Sequence, residues 1–348
     1  MHAVVCRHHH GGMISLHISL LHQFEQHQGE TYRVCFSPDG NTLWSSDGTA
    51  VYQWQRSSGD IWRYCQRFPG RALDLQCTAD GKMIVFFDGE KHIRFFAYDG
   101  EELMALSHPD QGIVVDFAVS PDQRWLVRDG KNGNILLYDL LKHQWTSIDV
   151  PGQPDTADGT VGCLQFALSG LELVFFASSP EGEIHICHFD PEHDYYAVRR
   201  ILPIFGIQGM KISPDGKLLA VTNVGDDDIR GVYVYDLEQL HLLHKFPASG
   251  DVFYDLLAFS HDGRFLASSR EDGILDIWSL TTFECVASFE AHPGPRLHER
   301  HWTETIGGLD WSTTGYLATG GTCFLGEDML KEDRSIRIWK IEVDRTAK

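Results

Sequence analysis

The chain has 348 residues, 43% of them hydrophobic, with 49 acidic against 29 basic side chains and a formal net charge of −20. That apolar fraction can build a large core and argues against a disordered chain. The charge repels phosphate backbones and no Lys/Arg run offsets it locally, so no nucleic-acid partner is expected, whereas a protein or peptide partner is compatible.

Met1 to Gly12 carries Arg7 and the tract His8-His9-His10. No apolar run of the signal-peptide kind follows, because His17 and His22 interrupt the next stretch. Residues 1–13 are expected to form a flexible segment and residues 14–348 one folded domain. No stretch has the continuous apolar length of a membrane span, so no membrane partner is expected. The eight cysteines are scattered and none forms a Cys-x-x-Cys pair. Such thiols suit buried, reduced side chains, which gives a cytoplasmic expectation.

From Phe36 onward one phrase recurs: an apolar strand, a Ser-Pro-Asp-Gly-like turn, then a second apolar strand. Its copies are Phe36-Ser37-Pro38-Asp39-Gly40, Cys77-Thr78-Ala79-Asp80-Gly81, Val119-Ser120-Pro121-Asp122 and Leu168-Ser169-Gly170, followed by Ile212-Ser213-Pro214-Asp215-Gly216, Phe259-Ser260-His261-Asp262-Gly263 and Trp311-Ser312-Thr313-Thr314-Gly315. The hydroxyl residues are separated by 41, 42, 49, 44, 47 and 52 residues, the spacing of four-stranded blades. Proline presets φ in such a turn, Asp bonds back to nearby backbone and Gly accepts positive φ. A third strand of period-two alternation follows each turn and mostly ends in an aromatic, as in Tyr52-Gln53-Trp54, Leu275-Asp276-Ile277-Trp278 and Ile336-Arg337-Ile338-Trp339. Fourth strands are polar and variable, which suits an outer edge. The pattern predicts an all-β fold: a seven-bladed β-propeller of four-stranded antiparallel blades.

Over residues 14–348 the "FSPDG" turns and the "DGILDIW" and "DRSIRIW" strands resemble the WD-repeat family. The resemblance implies a His, a Ser or Thr, an Asp and a Trp bonded to one another within a blade. Carried onto this chain, those are His301, Thr319, Asp333 and Trp339 in blade seven and His27, Ser46, Asp47 and Trp54 in blade one. Blade six matches at Ser268, Asp272 and Trp278 without a His, and blades two to five replace the Trp by Phe, Tyr or Cys.

The last repeat runs out after its third strand, at Ile341-Glu342-Val343, while residues 14–29 precede the first repeat and resemble a fourth strand. "HQFEQHQG" (His22 to Gly29) parallels "ASFEAHPG" (Ala287 to Gly294). The start of the chain is therefore expected to supply the outer strand of blade seven and so close the ring.

No catalytic motif is present: the chain lacks a Gly-x-Ser-x-Gly elbow, a phosphate loop, a His-Glu-x-x-His and a dinucleotide fingerprint. No catalytic residue, cofactor or metal is assigned. His185 and Cys187 share a strand face with zinc-type donors, but core packing accounts for them. Asp226-Asp227-Asp228 reads as a solvated turn rather than a Ca²⁺ site.

The long connections all fall between blades or between second and third strands, which open on one face of a propeller. The two longest, His292 to Thr305 and Cys323 to Ser335, belong to the blade six–seven junction and to blade seven, so they should be neighbours. They carry Arg296, His298, Arg300 and Trp302 in the first, and Phe324, Leu325, Met329 and Leu330 in the second. Arg, Trp and Met are enriched at interfaces, and loops on rigid scaffolds commonly carry function. The expected function is a non-catalytic interaction scaffold or adaptor subunit that binds a protein or peptide on this face. The alternatives are an enzyme or small-ligand receptor at the central channel mouth, and a ring that forms one wall of a larger assembly.

Overall fold

The computed structural model describes residues 16–70, 72–89, 92–107, 116–130, 133–150, 161–167, 172–177, 183–190, 195–203, 206–223, 230–248, 252–293, 305–322 and 333–343. They form seven four-stranded antiparallel sheets. Six are built from consecutive strands, beginning with Thr31–Phe36, Thr42–Asp47, Ala50–Arg56 and Trp62–Pro69 in blade one. The seventh joins Ile306–Trp311, Tyr316–Gly321 and Ile336–Val343 to the first strand of the chain, Leu16–Phe24. Leu16 pairs with Val343, Leu20 with Trp339 and Phe24 with Ile336, with a bulge between Leu20 and His22. The expected closure is what the ring uses. Residues 1–13 lie outside the described residues.

The turn phrase makes the bonds its chemistry predicts. The Ser37 hydroxyl donates to Asp39 at 2.6 Å and accepts from the Thr42 N–H at 2.9 Å, while Gly40 sits at φ 67°. Ser213, Ser260 and Thr78 repeat both bonds with Asp215, Asp262 and Asp80. In blade four the backbone bond that marks this position, from a turn N–H to the next strand's first carbonyl, runs from Ala167 to Glu172. Ala167, not Ser169, therefore occupies the hydroxyl position; Ser169 itself lies outside the described residues.

The core is divided. Each pair of adjacent blades shares its own apolar cluster: Trp44, Phe68, Phe86 and Phe96 lie between blades one and two, and Trp54, Trp62, Tyr316 and Ile338 between blades seven and one. Strand alternation explains the split, since Trp44 and Trp54 lie on opposite faces of the blade-one sheet and serve different neighbours. The seam between blades seven and one is close: a Cβ at Gly307 would collide with the Thr31 carbonyl oxygen. Across it, Asp60 accepts from Lys340 Nζ at 2.9 Å and from the Tyr316 hydroxyl, and its carbonyl lies 2.7 Å from His22 Nε2. Arg56 donates to the same Tyr316 hydroxyl at 3.0 Å.

Candidate interaction face and central channel

Blade seven carries a buried polar network, but its histidine is His292. His292 Nε2 lies 2.8 Å from the Thr319 hydroxyl and Nδ1 lies 3.0 Å from Asp333, while Trp339 Nε1 donates to Thr319 at 3.1 Å. His301, the residue expected from sequence, lies outside the described residues. The chain reaches the network as it leaves the outer strand of blade six, where the Ala291 and His292 N–H groups both donate to the Gly273 carbonyl. The insertion 294–304 follows the His instead of preceding it.

Blade one needs a smaller correction. Ser45, not Ser46, bridges His27 Nε2 and Trp54 Nε1, both at 2.8 Å. Strand alternation puts Ser45 on the Trp54 face and Ser46 on the other, where its buried hydroxyl has no partner among the described residues. His27 Nδ1 lies 3.0 Å from the Thr31 hydroxyl, so Asp47 is not its partner. Asp47 instead accepts from the Gln28 and Gly29 N–H groups and from the Tyr52 hydroxyl, which holds the incoming loop down. In blade six Ser268 accepts from Trp278 at 2.8 Å as expected, and Asp272 pairs with Arg270.

Burial shapes the electrostatics of both networks. It pushes the His27 imidazole down to about 4 against the smaller pull of Asp47. His292 is likewise lowered by burial, with Asp333 opposing. Burial alone would raise the Asp333 carboxyl, but His292, Ser335 and Arg337 outweigh it and hold the group well below the carboxylate range. Burial and partners thus hold both the His292 imidazole and the Asp333 carboxyl below their ordinary values across a 3.0 Å contact.

All eight expected contact residues, Arg296, His298, Arg300, Trp302, Phe324, Leu325, Met329 and Leu330, lie outside the described residues, as does Asp226-Asp227-Asp228. The stems of both connections are described, and they converge. His292 and Asp333 touch through the network, the Thr322 N–H donates to the Thr305 carbonyl at 3.0 Å, and the Gly321 N–H donates to Ser335. Gly321 permits this closeness, because a Cβ there would collide with the Asp333 carbonyl oxygen.

The first strands form the inner ring, and their side chains supply a polar belt that sequence reading missed. The residue two places before the turn position reaches forward to the next blade's backbone. Asp310 accepts from the Phe36 N–H at 2.7 Å, Gln76 from Val119 and Gln165 from Ile212, each at 2.9 Å, and Cys35 Sγ from Cys77 at 3.4 Å. Two residues further up the strand, Asp116 accepts from the Leu164 N–H at 2.7 Å and Arg33 pairs with Asp74 at 3.0 Å. Burial and the nearby Asp74 charge push the Asp116 carboxyl well above its ordinary value, with Arg33 and the Leu164 N–H opposing. Aligning the repeats on the turn places Cys35, Gln76, Gln165 and Asp310 in one register, which is the signal that could have found the belt.

His185 and Cys187 are buried in their sheet, with His185 stacked on Phe175 and 3.0 Å from Glu183. Among the described residues no group of three His, Cys, Asp or Glu side chains could hold a metal ion.

The family model "WD domain, G-beta repeat" matches residues 241–279, the outer strand of blade five and most of blade six. The chain is 22% identical over 283 residues to autophagy-related protein 16 of Arabidopsis thaliana, covering 78% of this chain and 52% of that protein. It is 21% identical over 250 residues to the serine-threonine kinase receptor-associated protein of Gallus gallus, covering 72% of this chain and 61% of that one. The chain thus spans between half and two thirds of the length of these relatives. Among solved structures, the β-propeller domain of Cps50 (Swd1) from Myceliophteria thermophila superposes with a TM-score of 0.70 at 17% identity, covering 92% of this chain and all of that domain. Seven four-stranded blades in a closed ring, the hydroxyl–tryptophan bonds of blades one, six and seven, and the repeat matched over residues 241–279 lead to one assignment: the chain is a seven-bladed β-propeller that carries a WD-type repeat in blade six.

Proposed function

We propose that the protein is a non-catalytic scaffold that binds a protein or peptide partner through the two connections at the blade six–seven junction, in the cytoplasm. The observation that carries this reading is the meeting of their four stems: His292 and Asp333 join in the buried network with Thr319 and Trp339, and Thr322 bonds Thr305 beside it. Both connections leave from stems that this rigid base brings together; their Arg and Trp residues are types that dominate binding energy, and their Met and Phe residues are types enriched at interfaces. One relative is named for its association with a kinase receptor, which fits a partner-holding role. The channel supports the same preference over chemistry at its mouth, since Asp116, Asp310, Gln76 and Gln165 are each bonded to a neighbouring blade's backbone.

The test replaces Arg296, Arg300, Trp302 and Met329 by Ala together and repeats affinity capture from source cells. Loss of the captured partner with an unchanged thermal midpoint is expected. Full recovery of the partner by the folded variant would reject this face.

A further inference from the structure

A second surface stands apart from the loop face, on the outer strand of blade one, Trp62–Pro69. It carries two arginines and no carboxylate, a composition that the outer strand of blade four, Tyr195–Pro203, shares in sequence. The strands at the same place in blades two and six carry Glu102, and Glu284 with Glu290. Arg63 and Arg67 are exposed, and among the described residues neither has a carboxylate within ion-pair distance; Arg67 donates to Thr49 oxygens at 3.4 Å. Tyr64 is 41% exposed and Ile61, just before the strand, 47%. The Tyr64 ring stands edge-on to Trp54 at 5.5 Å, and Trp54 is fixed by Ser45 and by Phe24 stacked at 4.4 Å.

Charge on an edge strand is a common defence against aggregation, and so is the bulge here, where Cys65 is the extra residue between the Trp54–Tyr64 and Gln53–Gln66 pairs. That defence explains the arginines. It does not explain a rigidly backed tyrosine and an isoleucine held out in the same stretch, a combination typical of binding hot spots. The register sets the geometry. Tyr64 and Arg67 lie opposite Trp54 and Tyr52 on one face, whereas Arg63 lies opposite Gln55 on the other. A strand added at this edge would meet a guanidinium on each face. Successive side chains of an extended segment also point to alternate faces, so neighbouring carboxylates can answer both.

We infer that this edge binds an extended acidic segment of a partner protein as an added strand, with an apolar residue of that segment covering Tyr64. On a chain of net charge −20 the patch is a local attractor for negative charge. The segment contributes main-chain bonds for affinity and carboxylates for specificity.

Fluorescence anisotropy with a labelled peptide of repeated Glu-Glu-Val triplets tests this, with a Lys-Lys-Val peptide as control. The acidic peptide binds the intact chain, the basic one does not, and raising the salt concentration weakens binding. Arg63→Glu with Arg67→Glu lowers affinity about tenfold or more, and Tyr64→Ala lowers it by a smaller factor, with thermal midpoints unchanged. The variant lacking Arg296, Arg300, Trp302 and Met329 side chains binds the peptide as the intact chain does, which separates this surface from the loop face. Absence of binding, equal affinity in the charge-reversed variant, or self-association of the chain through this edge in sedimentation would each overturn the inference.

Discussion

Blades seven and two solve the same packing problem with different chemistry. In blade seven a hydroxyl on the second strand, Thr319, ties Trp339 of the third strand to His292 of the incoming loop. At the corresponding positions blade two places Phe86 and Phe96, whose rings stack 5.4 Å apart at 5°. Blade one follows blade seven through Ser45, Trp54 and His27. Blade four puts Phe175 and Cys187 at these positions, and blade five Val221 and Tyr235, all of them buried or nearly so. The apolar pair stabilises a blade without reaching its loop. The polar network reaches out of the sheet and fixes where the loop leaves it. Blade seven, whose stems must hold two long connections in place, uses the second solution.

This contrast can be broken by substitution. Phe86→Ala opens a cavity among Trp44, Phe68 and Phe96 and should cost about 4 kcal/mol, read as a lower denaturant midpoint. Partner capture by the folded fraction should be unchanged, because no loop anchor is touched. His292→Ala should cost about 3 kcal/mol, since it leaves Thr319 and the buried Asp333 carboxylate short of a partner. Partner affinity should fall with it, and that split between the two variants is what the comparison demands.

Acid sharpens the same distinction. The folded-state value of His27 is lowered to about 4 from an ordinary 6.5, so below pH 6.5 the unfolded chain takes up a proton that the folded one refuses. Stability is fully present above pH 6.5 and falls as pH drops toward 4, by up to about 3 kcal/mol from this group. His292 contributes in the same direction. Urea midpoints at pH 7.5, 5.5 and 4.5 should fall less steeply in His27→Gln than in the natural chain.

The smallest effect discriminates most finely. Ser45→Ala should cost about 1–2 kcal/mol through two lost bonds, whereas Ser46→Ala should be neutral or mildly stabilising, because its buried hydroxyl bonds no described residue. Equal effects at the two serines would refute the placement of the network.

Much of this architecture was legible in the residues. The turn phrase carries its own hydrogen-bond logic, so seven blades and their register could be counted, and the missing fourth strand of the last blade pointed to the first residues of the fold. The structure departs from the expectation where an insertion shifts a repeat position. Measured back from the first strand of blade seven, His301 stands at the distance a short loop would need, but the insertion 294–304 displaces the true partner to His292. The parallel between Phe24-Glu25-Gln26-His27 and Phe289-Glu290-Ala291-His292 already held the right alignment. Ser45 and Ser46 both fit the repeat spacing, and only the alternation that puts Trp54 on one face of the sheet separates them. The channel belt was invisible because its members share a position and a task, and not a residue type.

Hydrogen–deuterium exchange on the captured complex tests the proposed binding face most directly. Slowed exchange in residues 294–304 and 323–332, with the turns at 37–42 and 260–265 on the opposite face unaffected, is the predicted footprint. Protection confined to those turns, with both long connections exchanging as in the free chain, would contradict it.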